Sequence, residues 1–243
     1  VIVDDYSRYT WMIFLAHKDD AFKNFVSLFA KVQNLIGLKV IKIKSDNGSK
    51  FRFCDFSEFC DNNGITHEFS IGRTPHQNGV VERKNRTLQE AARTMLSECN
   101  LSKYFWVETV NTVCYAMNIV HLKPILNKIS YELIFDKKPI VGYFKIFCCQ
   151  CFILNIKEHL EKFDKKFDES IFLGYCENKR GFRVYNRRTL IIEEAIHVTF
   201  DKSNDNIFKS CCKDVDVGVQ EGLKKLTIHD QDNAPLEEIS KED

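Results

Sequence analysis

The sequence predicts an α/β core followed by a small β-barrel. In the first half, short segments rich in Val and Ile alternate with segments whose apolar residues recur at helical spacing. That alternation is typical of an α/β layer with a mixed sheet and flanking helices. After Pro139 the sequence changes to short strand-like segments separated by turn residues and Lys-rich stretches, which indicate a small barrel. A length of 243 residues leaves room for both parts.

The core elements are predicted in the order strand, strand, helix, strand, helix, strand, helix, helix. A hairpin over residues 1–17 turns at residues 4–8, and Asp19 and Asp20 then supply an N-cap and a first-turn acid. The first helix ends at Gly37, and Gly64 ends the second. The later elements are a strand at residues 39–45, a helix at about 53–62, a strand at 65–70, and helices at about 79–98 and 103–122.

The second half is predicted to hold strands at residues 144–156, 170–175, 181–185 and 189–200. The predicted domains are therefore a core over residues 1–125, a linker over 126–142, a barrel over 143–201 and an acidic tail over 202–243. Residues 201–243 hold six Lys against eleven Asp and Glu, a charge of −5, so residues 1–200 carry +6. We expect the polar tail to be disordered and the basic part to permit a nucleic-acid partner.

The composition excludes several classes of protein. Hydrophobic residues make up 44% and charged residues 28%, which excludes a disordered, collagen-like or coiled-coil chain. No apolar run approaches the roughly 20 residues that span a bilayer, and no secretory signal is visible. Because the chain opens on Val-Ile-Val and not on Met, we expect a fragment or a processed piece.

The ten cysteines favour reduced thiols over a disulfide framework. The chain is too large to need such a framework, and it lacks the two C-x-x-C motifs of a typical zinc site. We expect buried, reduced thiols and an intracellular setting, since free Cys behaves as a small apolar residue. A metal site at the dense Cys148-Cys149-Gln150-Cys151 run is the weaker alternative.

Two acids have positions that suit metal chemistry. Asp46 lies just past a predicted strand, and Glu82 lies in the first turn of the long helix, with thirty-five residues between them. Two such carboxylates can converge on one Mg²⁺, which prefers oxygen ligands. Taken singly, each has a plainer interpretation: Asp46-Asn47-Gly48 as a turn, and Glu82 as compensation of the helix dipole.

The context of these acids resembles a known family. Residues 74–87 read Thr-Pro-His-Gln-Asn-Gly-Val-Val-Glu-Arg-Lys-Asn-Arg-Thr. Together with Asp46-Asn47-Gly48-Ser49, this segment resembles the catalytic core of the retroviral-type integrases, and the copia-type retrotransposon branch most of all. Residues 4–11 are similar to that branch's second-strand signature. The resemblance continues through residues 105–106, 131–133, 147–149, 171–175 and 198–200, so it covers about residues 1–200.

The resemblance implies an RNase H-like core followed by an SH3-like barrel. It implies a polynucleotidyl transferase that inserts element DNA ends into target DNA, using three carboxylates and two Mg²⁺ or Mn²⁺ ions. Asp46 matches the second carboxylate and Glu82 the third. The first precedes the segment that begins at Asp4, so we expect this chain to lack it, to be inactive as given and to fold marginally. Asp4 and Asp5 are expected to be turn formers or partners of Arg8.

Candidate DNA-binding residues lie on the long helix and in the loop before it. Glu82, Asn85, Arg86, Gln89 and Arg93 fall on one helical face, which suits phosphates more than bases, although a solvated face is the alternative. Asn78 matches a family position that approaches the DNA end. The barrel's basic residues either bind nucleic acid or are ordinary solvated loop residues: Lys162, Lys165, Lys166, Lys179, Arg180, Arg183, Arg187 and Arg188.

Two other functions stay open at this stage. One is a non-catalytic or domesticated remnant that binds nucleic acid or protein, and a weaker one is a ribonuclease or resolvase on the same fold. The resemblance also implies DNA as partner, a homo-oligomer, no membrane association, and a nuclear location after passage through a cytoplasmic particle.

Overall fold

A computed structural model describes residues 1–45, 54–69, 79–155, 165–176 and 180–201. These residues form two compact units. The first unit comprises Val1–Ala92 and Val113–Tyr143, and the second comprises Arg93–Thr112 and the described part of Phe144–Asp243. Within the described ranges, every helix is too short or too polar to cross a membrane.

The first unit begins with a short antiparallel hairpin of β1 (Ile2–Val3) and β2 (Thr10–Trp11). The Asp4 carboxylate accepts hydrogen bonds from the Ser7 backbone N–H at 2.7 Å and from its hydroxyl at 2.6 Å. Asp5 pairs with Arg8, so the predicted turn-forming roles of both acids are confirmed. The second strand was predicted to reach residue 17 but ends at Trp11, because β1 offers partners for two residues only.

Two helices follow with the predicted glycine ends. Helix α1 (Ala21–Ile36) stops at Gly37, whose φ of 72° is left-handed, and α2 (Cys54–Asn63) stops before Gly64, with φ of 64°. Asp19 and Asp20, predicted to supply an N-cap and a first-turn acid, both lie in a 3-10 turn that precedes α1. A turn of 3-10 helix at Lys18–Asp20 already gives Asp20 a helical backbone, so its side chain makes no capping hydrogen bond.

Strands β3 (Lys42–Ser45) and β4 (Thr66–Phe69) pair in parallel in the first unit. Their inner face packs with α1 and α2 around a core of Phe29, Phe56, Cys60 and Ile65. The unit therefore contains both antiparallel and parallel pairs, as a mixed sheet requires. Among the described residues, the pairs β1–β2 and β3–β4 remain separate two-stranded sheets.

The two long helices are α3 (Gly79–Glu98) and α4 (Trp106–Val120), and a 3-10 turn at Lys103–Phe105 precedes α4. In the first unit, Asn118 of α4 pairs its side-chain amide with the backbone of Thr10. The Thr10 N–H donates to Asn118 Oδ1 at 2.9 Å, and Asn118 Nδ2 donates to the Thr10 carbonyl at 2.8 Å. The unit closes with β5 (Leu122–Lys123), β6 (Lys128–Ile129) and α5 (Ser130–Phe135).

The second unit contains a five-stranded antiparallel sheet in the order β10-β9-β8-β7-β11. Its strands are β7 (Gln150–Leu154), β8 (Phe167–Tyr175), β9 (Phe182–Asn186), β10 (Ile192–Ala195) and β11 (Val198–Phe200). The core joins this sheet to the end of α3 and to the segment between α3 and α4, and its buried residues are Leu96, Leu101, Phe105, Phe147, Cys148, Ile171, Leu173 and Tyr185.

Two barrel strands differ from their predicted bounds. The segment 189–200 is two strands, because β10 and β11 lie at opposite edges of the sheet and the chain must turn between them. The segment predicted from residue 144 becomes a strand only at Gln150. Cys148 has a left-handed backbone with φ of 64°, which interrupts the extended conformation and turns Phe147 and Cys148 into the core.

Seven cysteines in the described ranges are reduced thiols outside any disulfide, as predicted. Five of these are buried: Cys60, Cys114, Cys148, Cys149 and Cys151. Burial raises the pKa of the Cys149 thiol to about 11. It also raises the pKa of Cys151. Their burial favours the packing role that the sequence indicates.

Candidate functional site

The structure places one of the two candidate metal ligands. Glu82 lies in the first turn of α3 with an exposed side chain, and none of the ion pairs among the described residues involves it. Asp46 lies outside the described residues and directly follows Ser45, the last residue of β3, in the sequence. Glu82 is therefore free to bind a cation or to face solvent.

The described ranges do not bring together a complete metal site. They contain no group of three or more His, Cys, Asp or Glu side chains placed to hold an ion. The Cys148–Cys151 run, which lies in these ranges, therefore does not form such a group. The donor chemistry of Asp46 and Glu82 nevertheless fits a hard divalent cation, since both are carboxylates and Mg²⁺ prefers oxygen. Glu82 would supply one ligand from a helix, and Asp46 one from the segment after β3.

The predicted DNA-binding face of α3 is present as a polar side of the helix. Leu88 and Ala92 are fully buried on its other side, at 0% exposure. Arg86 is exposed, whereas Asn85 and Gln89 are half-buried and joined by a hydrogen bond from Gln89 Nε2 to Asn85 Oδ1 at 3.3 Å. Arg86 is thus the side chain of the three most available to a phosphate.

The structure describes one of the other two candidate DNA-binding residues, Arg93, and not Asn78. Arg93, which belongs to the second unit, is exposed on α3. Asn78 lies outside the described residues.

The structure also shows two basic residues beside Glu82 that the sequence reasoning did not select. Arg83 is exposed, and Lys84 is half-buried, where burial lowers the pKa of its ammonium. The basic run Arg83-Lys84-Asn85-Arg86 is the sequence feature from which these two residues could have been identified.

A second feature missed by sequence reasoning lies at the carboxyl end of β3. The hydroxyl of Ser45 and Nε2 of His67 on β4 form a hydrogen bond of 2.9 Å. The imidazole centroid is 4.8 Å from that of Phe56 and 4.0 Å from that of Phe69. Burial lowers the pKa of His67. Nothing in the sequence separates this His from an ordinary strand residue.

Two basic residues of the barrel are bound to buried carboxylates. Arg183 donates to both oxygens of Glu108, at 2.6 and 2.7 Å, and Arg188 donates to both oxygens of Asp168, at 2.8 and 2.7 Å. Glu108 and Asp168 are only 6% exposed. These contacts favour a structural role for both arginines over nucleic-acid binding.

The other basic barrel candidates divide by exposure. Lys165, Lys166 and Arg180 are exposed, and Arg187 is half-buried. Lys162 and Lys179 lie outside the described residues. These three side chains are accessible to solvent.

Comparison with known families matches both parts of the chain. Residues 1–75 match the integrase core domain, and residues 149–214 match the retroviral polymerase SH3-like domain. The two matches occur in the order that the sequence predicted. They confirm the predicted fold class of an α/β integrase core followed by a small SH3-like domain, whose described strands form the five-stranded antiparallel sheet.

Relatives point to the same family. The retrovirus-related Pol polyprotein from transposon TNT 1-94 of Nicotiana tabacum is 36% identical over 184 residues, covering 76% of this chain and 14% of that polyprotein. The Pol polyprotein from transposon RE1 of Arabidopsis thaliana is 26% identical over 203 residues, covering 84% of this chain and 14% of the relative. This chain therefore spans about one seventh of the length of these relatives.

Among solved structures, the HTLV-2 integrase catalytic core domain in complex with magnesium, in its trimeric form, is 24% identical with a TM-score of 0.41. That match covers 54% of this chain and 80% of the other. The two family matches and the plant relatives agree with one another, and the chain belongs to the integrase region of copia-type retrotransposon Pol polyproteins.

Proposed function

We propose that this chain contributes to a polynucleotidyl transferase that inserts element DNA ends into target DNA. The observation that carries the proposal is the exposed Glu82 in the first turn of α3, within an integrase-type motif and with thirty-five residues between it and Asp46. Asp46 and Glu82 would each offer a carboxylate to divalent metal ions, Mg²⁺ or Mn²⁺. Carboxylate oxygens are the ligands that such hard cations prefer, which supports that choice of ion.

The role assigned to the residues of this chain is mainly to position the metal ions and the DNA. Bound divalent ions would activate the attacking oxygen and stabilise the leaving oxygen of an in-line displacement. Glu82 is held by a twenty-residue helix whose buried Leu88 and Ala92 fix its rotation. Arg86, one turn along, offers a cation to a phosphate, and the amides of Asn85 and Gln89 offer hydrogen bonds to the same strand. Asn78 and Arg93 extend this proposed DNA contact along the chain.

The decisive experiment is strand transfer of a labelled DNA end in Mn²⁺. It compares the chain as it stands with the same chain preceded by an integrase-type strand that carries the first carboxylate. Asp46→Asn and Glu82→Gln are made in the extended chain. We expect activity in the extended chain and a loss of at least about a hundredfold in both variants, since each removes a metal ligand.

Glu98→Gln is the matched control, because Glu98 is another exposed acid on α3, at its far end. This control should keep full activity. If the extended chain works equally well with the Glu82→Gln substitution, the assignment of Glu82 is contradicted. An extended chain that binds DNA but never joins it would favour a non-catalytic binding remnant, for which the +6 charge of residues 1–200 is the supporting observation.

The proposal extends to partners and location. DNA is the proposed partner, a homo-oligomer the proposed assembly, and the nucleus the proposed site of action after passage through a cytoplasmic particle. Sedimentation with and without a DNA end tests the assembly: a species heavier than one chain on DNA supports it.

A further inference from the structure

We propose that His67 is a positioning residue for the reaction proposed above, because it ties the carboxyl end of β3 to β4 one residue before Asp46. This inference rests on the proposed function, since it concerns the segment that leads to a candidate metal ligand. His67 itself is not assigned any contact with metal or DNA. Its proposed role is carried out through Ser45.

The pairing of the two strands brings the residues together. β3 and β4 run parallel with Ile43 opposite His67 and Ser45 opposite Phe69, so both carboxyl ends lie at one edge. Because side chains alternate between the faces of a strand, these four residues share one face. Ser45 and His67 are diagonal neighbours on that face, and their side chains meet at 2.9 Å.

The imidazole is held in place by aromatic packing. Its centroid lies 4.8 Å from the ring of Phe56, which is 1% exposed, and 4.0 Å from the ring of Phe69. Burial lowers the pKa of His67, so the ring is neutral near pH 7 and keeps one N–H and one lone pair. Either tautomer can bond to a hydroxyl, which both donates and accepts. The Ser45 side chain is therefore joined to a ring that cannot easily turn.

This contact matters because of where β3 ends. The strand is four residues long, and the chain continues from Ser45 directly to Asp46. A carboxylate ligand of Mg²⁺ must meet a near-octahedral geometry at about 2.0–2.1 Å, which tolerates little movement of its backbone. Hydrogen bonds behind metal ligands typically change metal affinity about 10- to 100-fold when removed. A contact one residue away should act in the same direction with a smaller effect.

Four variants separate the hydrogen bond from packing. Ser45→Ala removes the hydroxyl, and His67→Phe keeps a flat ring between Phe56 and Phe69 but cannot bond to Ser45. The double variant tests whether the two changes act through one contact. His67→Gln restores a polar group at about the position of Nε2.

Glu68→Gln is the matched control. It weakens a different cross-strand contact between the same strands, the ion pair from Lys42 to Glu68 at 2.6 Å. Lys42 and Glu68 lie on the opposite face from Ser45 and His67. The control therefore reports what a general loosening of the β3–β4 pair would do.

The measurement is Mn²⁺ binding to the full chain, followed by water-proton relaxation, together with thermal melting. We expect Ser45→Ala and His67→Phe each to weaken Mn²⁺ binding by about 3- to 10-fold. The double variant should be no weaker than the worse single, His67→Gln should recover most of the affinity, and Glu68→Gln should match the parent chain. Melting temperatures should stay close to the parent for Ser45→Ala.

Asp46→Asn in the same assay separates the two proposals. If Asp46→Asn leaves Mn²⁺ binding unchanged, the proposed function fails, and the inference on His67 fails with it. If Asp46→Asn weakens binding while Ser45→Ala and His67→Phe bind like the parent, only the role of His67 is overturned. If His67→Phe fails to fold, Ser45→Ala decides alone, because it removes a single oxygen atom.

Discussion

At the scale of single residues, buried cysteines fill part of the core of the second unit. In the second unit, the Cys148 N–H donates to the Phe172 carbonyl at 2.8 Å, and the Phe172 N–H donates to the Cys149 carbonyl at 3.0 Å. The backbone of this segment is thus hydrogen-bonded while its thiols occupy the core. Cys148 and Cys151 are 0% exposed and Cys149 is 9% exposed. Small apolar side chains suit this buried segment, in which Cys148 takes a positive φ of 64°.

This burial predicts a loss of stability at high pH. Burial penalises the thiolate and raises the pKa of Cys149 from its ordinary value of 9.0 to about 11. The folded state therefore favours the protonated thiol, and the stabilisation is complete below about pH 9 and is lost as the pH rises to about 11. In urea unfolding from pH 7 to pH 11, we expect the free energy of unfolding to fall by up to about 2 kcal/mol more in the parent than in Cys149→Ala. Equal slopes in the two proteins would contradict this prediction.

Residues also show which features the sequence can predict. Gly37 and Gly64 were predictable as helix ends, because glycine adopts positive φ without strain. The 3-10 turn that holds Asp19 and Asp20 before α1 was not predictable, since side-chain capping depends on the backbone conformation of that turn. The Ser45–His67 contact was hidden for another reason. It joins residues 22 positions apart, and it exists only in one register of β3 against β4.

At the scale of elements, the first part of α4 forms one surface with β8 and β9. Phe105, just before α4, packs edge-on against Tyr185 with ring centroids 5.2 Å apart, and the Thr112 hydroxyl donates to the Leu173 carbonyl at 2.6 Å. A Cβ at Gly174 would collide with the Thr112 hydroxyl, so glycine is required there. The next contact along this surface is the ion pair of Glu108 with Arg183.

We predict strong coupling between Glu108 and Arg183. Removing one partner of a buried pair leaves an unpaired charge, and because Arg183 is 32% exposed we expect on the order of 2–3 kcal/mol of destabilisation from Arg183→Met. The double variant with Glu108→Gln should lose less than the sum of the two single variants.

Urea unfolding of the four proteins measures this coupling energy. Arg180→Met is the control, since Arg180 is an exposed arginine of the same unit, and it should change the free energy of unfolding by under about 0.5 kcal/mol. Additive single effects would show that the two side chains do not stabilise each other. The pair could not be predicted from sequence, because its members are 75 residues apart and on different kinds of element.

The unpaired edges of the short strands in the first unit also bear on its stability. The outer edge of β2 is covered by the Asn118 amide, which bonds to the N–H and the carbonyl of Thr10 as a neighbouring strand would. β1 and β3 each pair with a single strand within the described ranges. The expectation of a marginal, aggregation-prone fold therefore concerns their second edges and stays a prediction.

For the whole molecule, charge is distributed unevenly along the chain. The net charge of +1 combines +6 in residues 1–200 with −5 in residues 201–243. The exposed cations Arg86 and Arg93 lie in the basic part, as do Lys165, Lys166 and Arg180 of the barrel. An acidic segment in the same chain competes with phosphates for such cations over distances of about one Debye length.

The acidic segment should therefore weaken binding to DNA. Changing its eleven Asp and Glu residues to Asn and Gln keeps the length of the chain and removes the competing charge. We expect affinity for a labelled duplex, measured by fluorescence anisotropy, to rise about tenfold near 50 mM salt and to converge with the parent above about 500 mM, because the effect is electrostatic. The opposite change supplies the control: replacing the six Lys of the segment with Gln makes it more acidic and should lower affinity under the same conditions. Unchanged affinity in both proteins at low salt would mean that the segment does not compete for the DNA site. A gain that persists at high salt would mean that it acts through a specific contact and not through its charge.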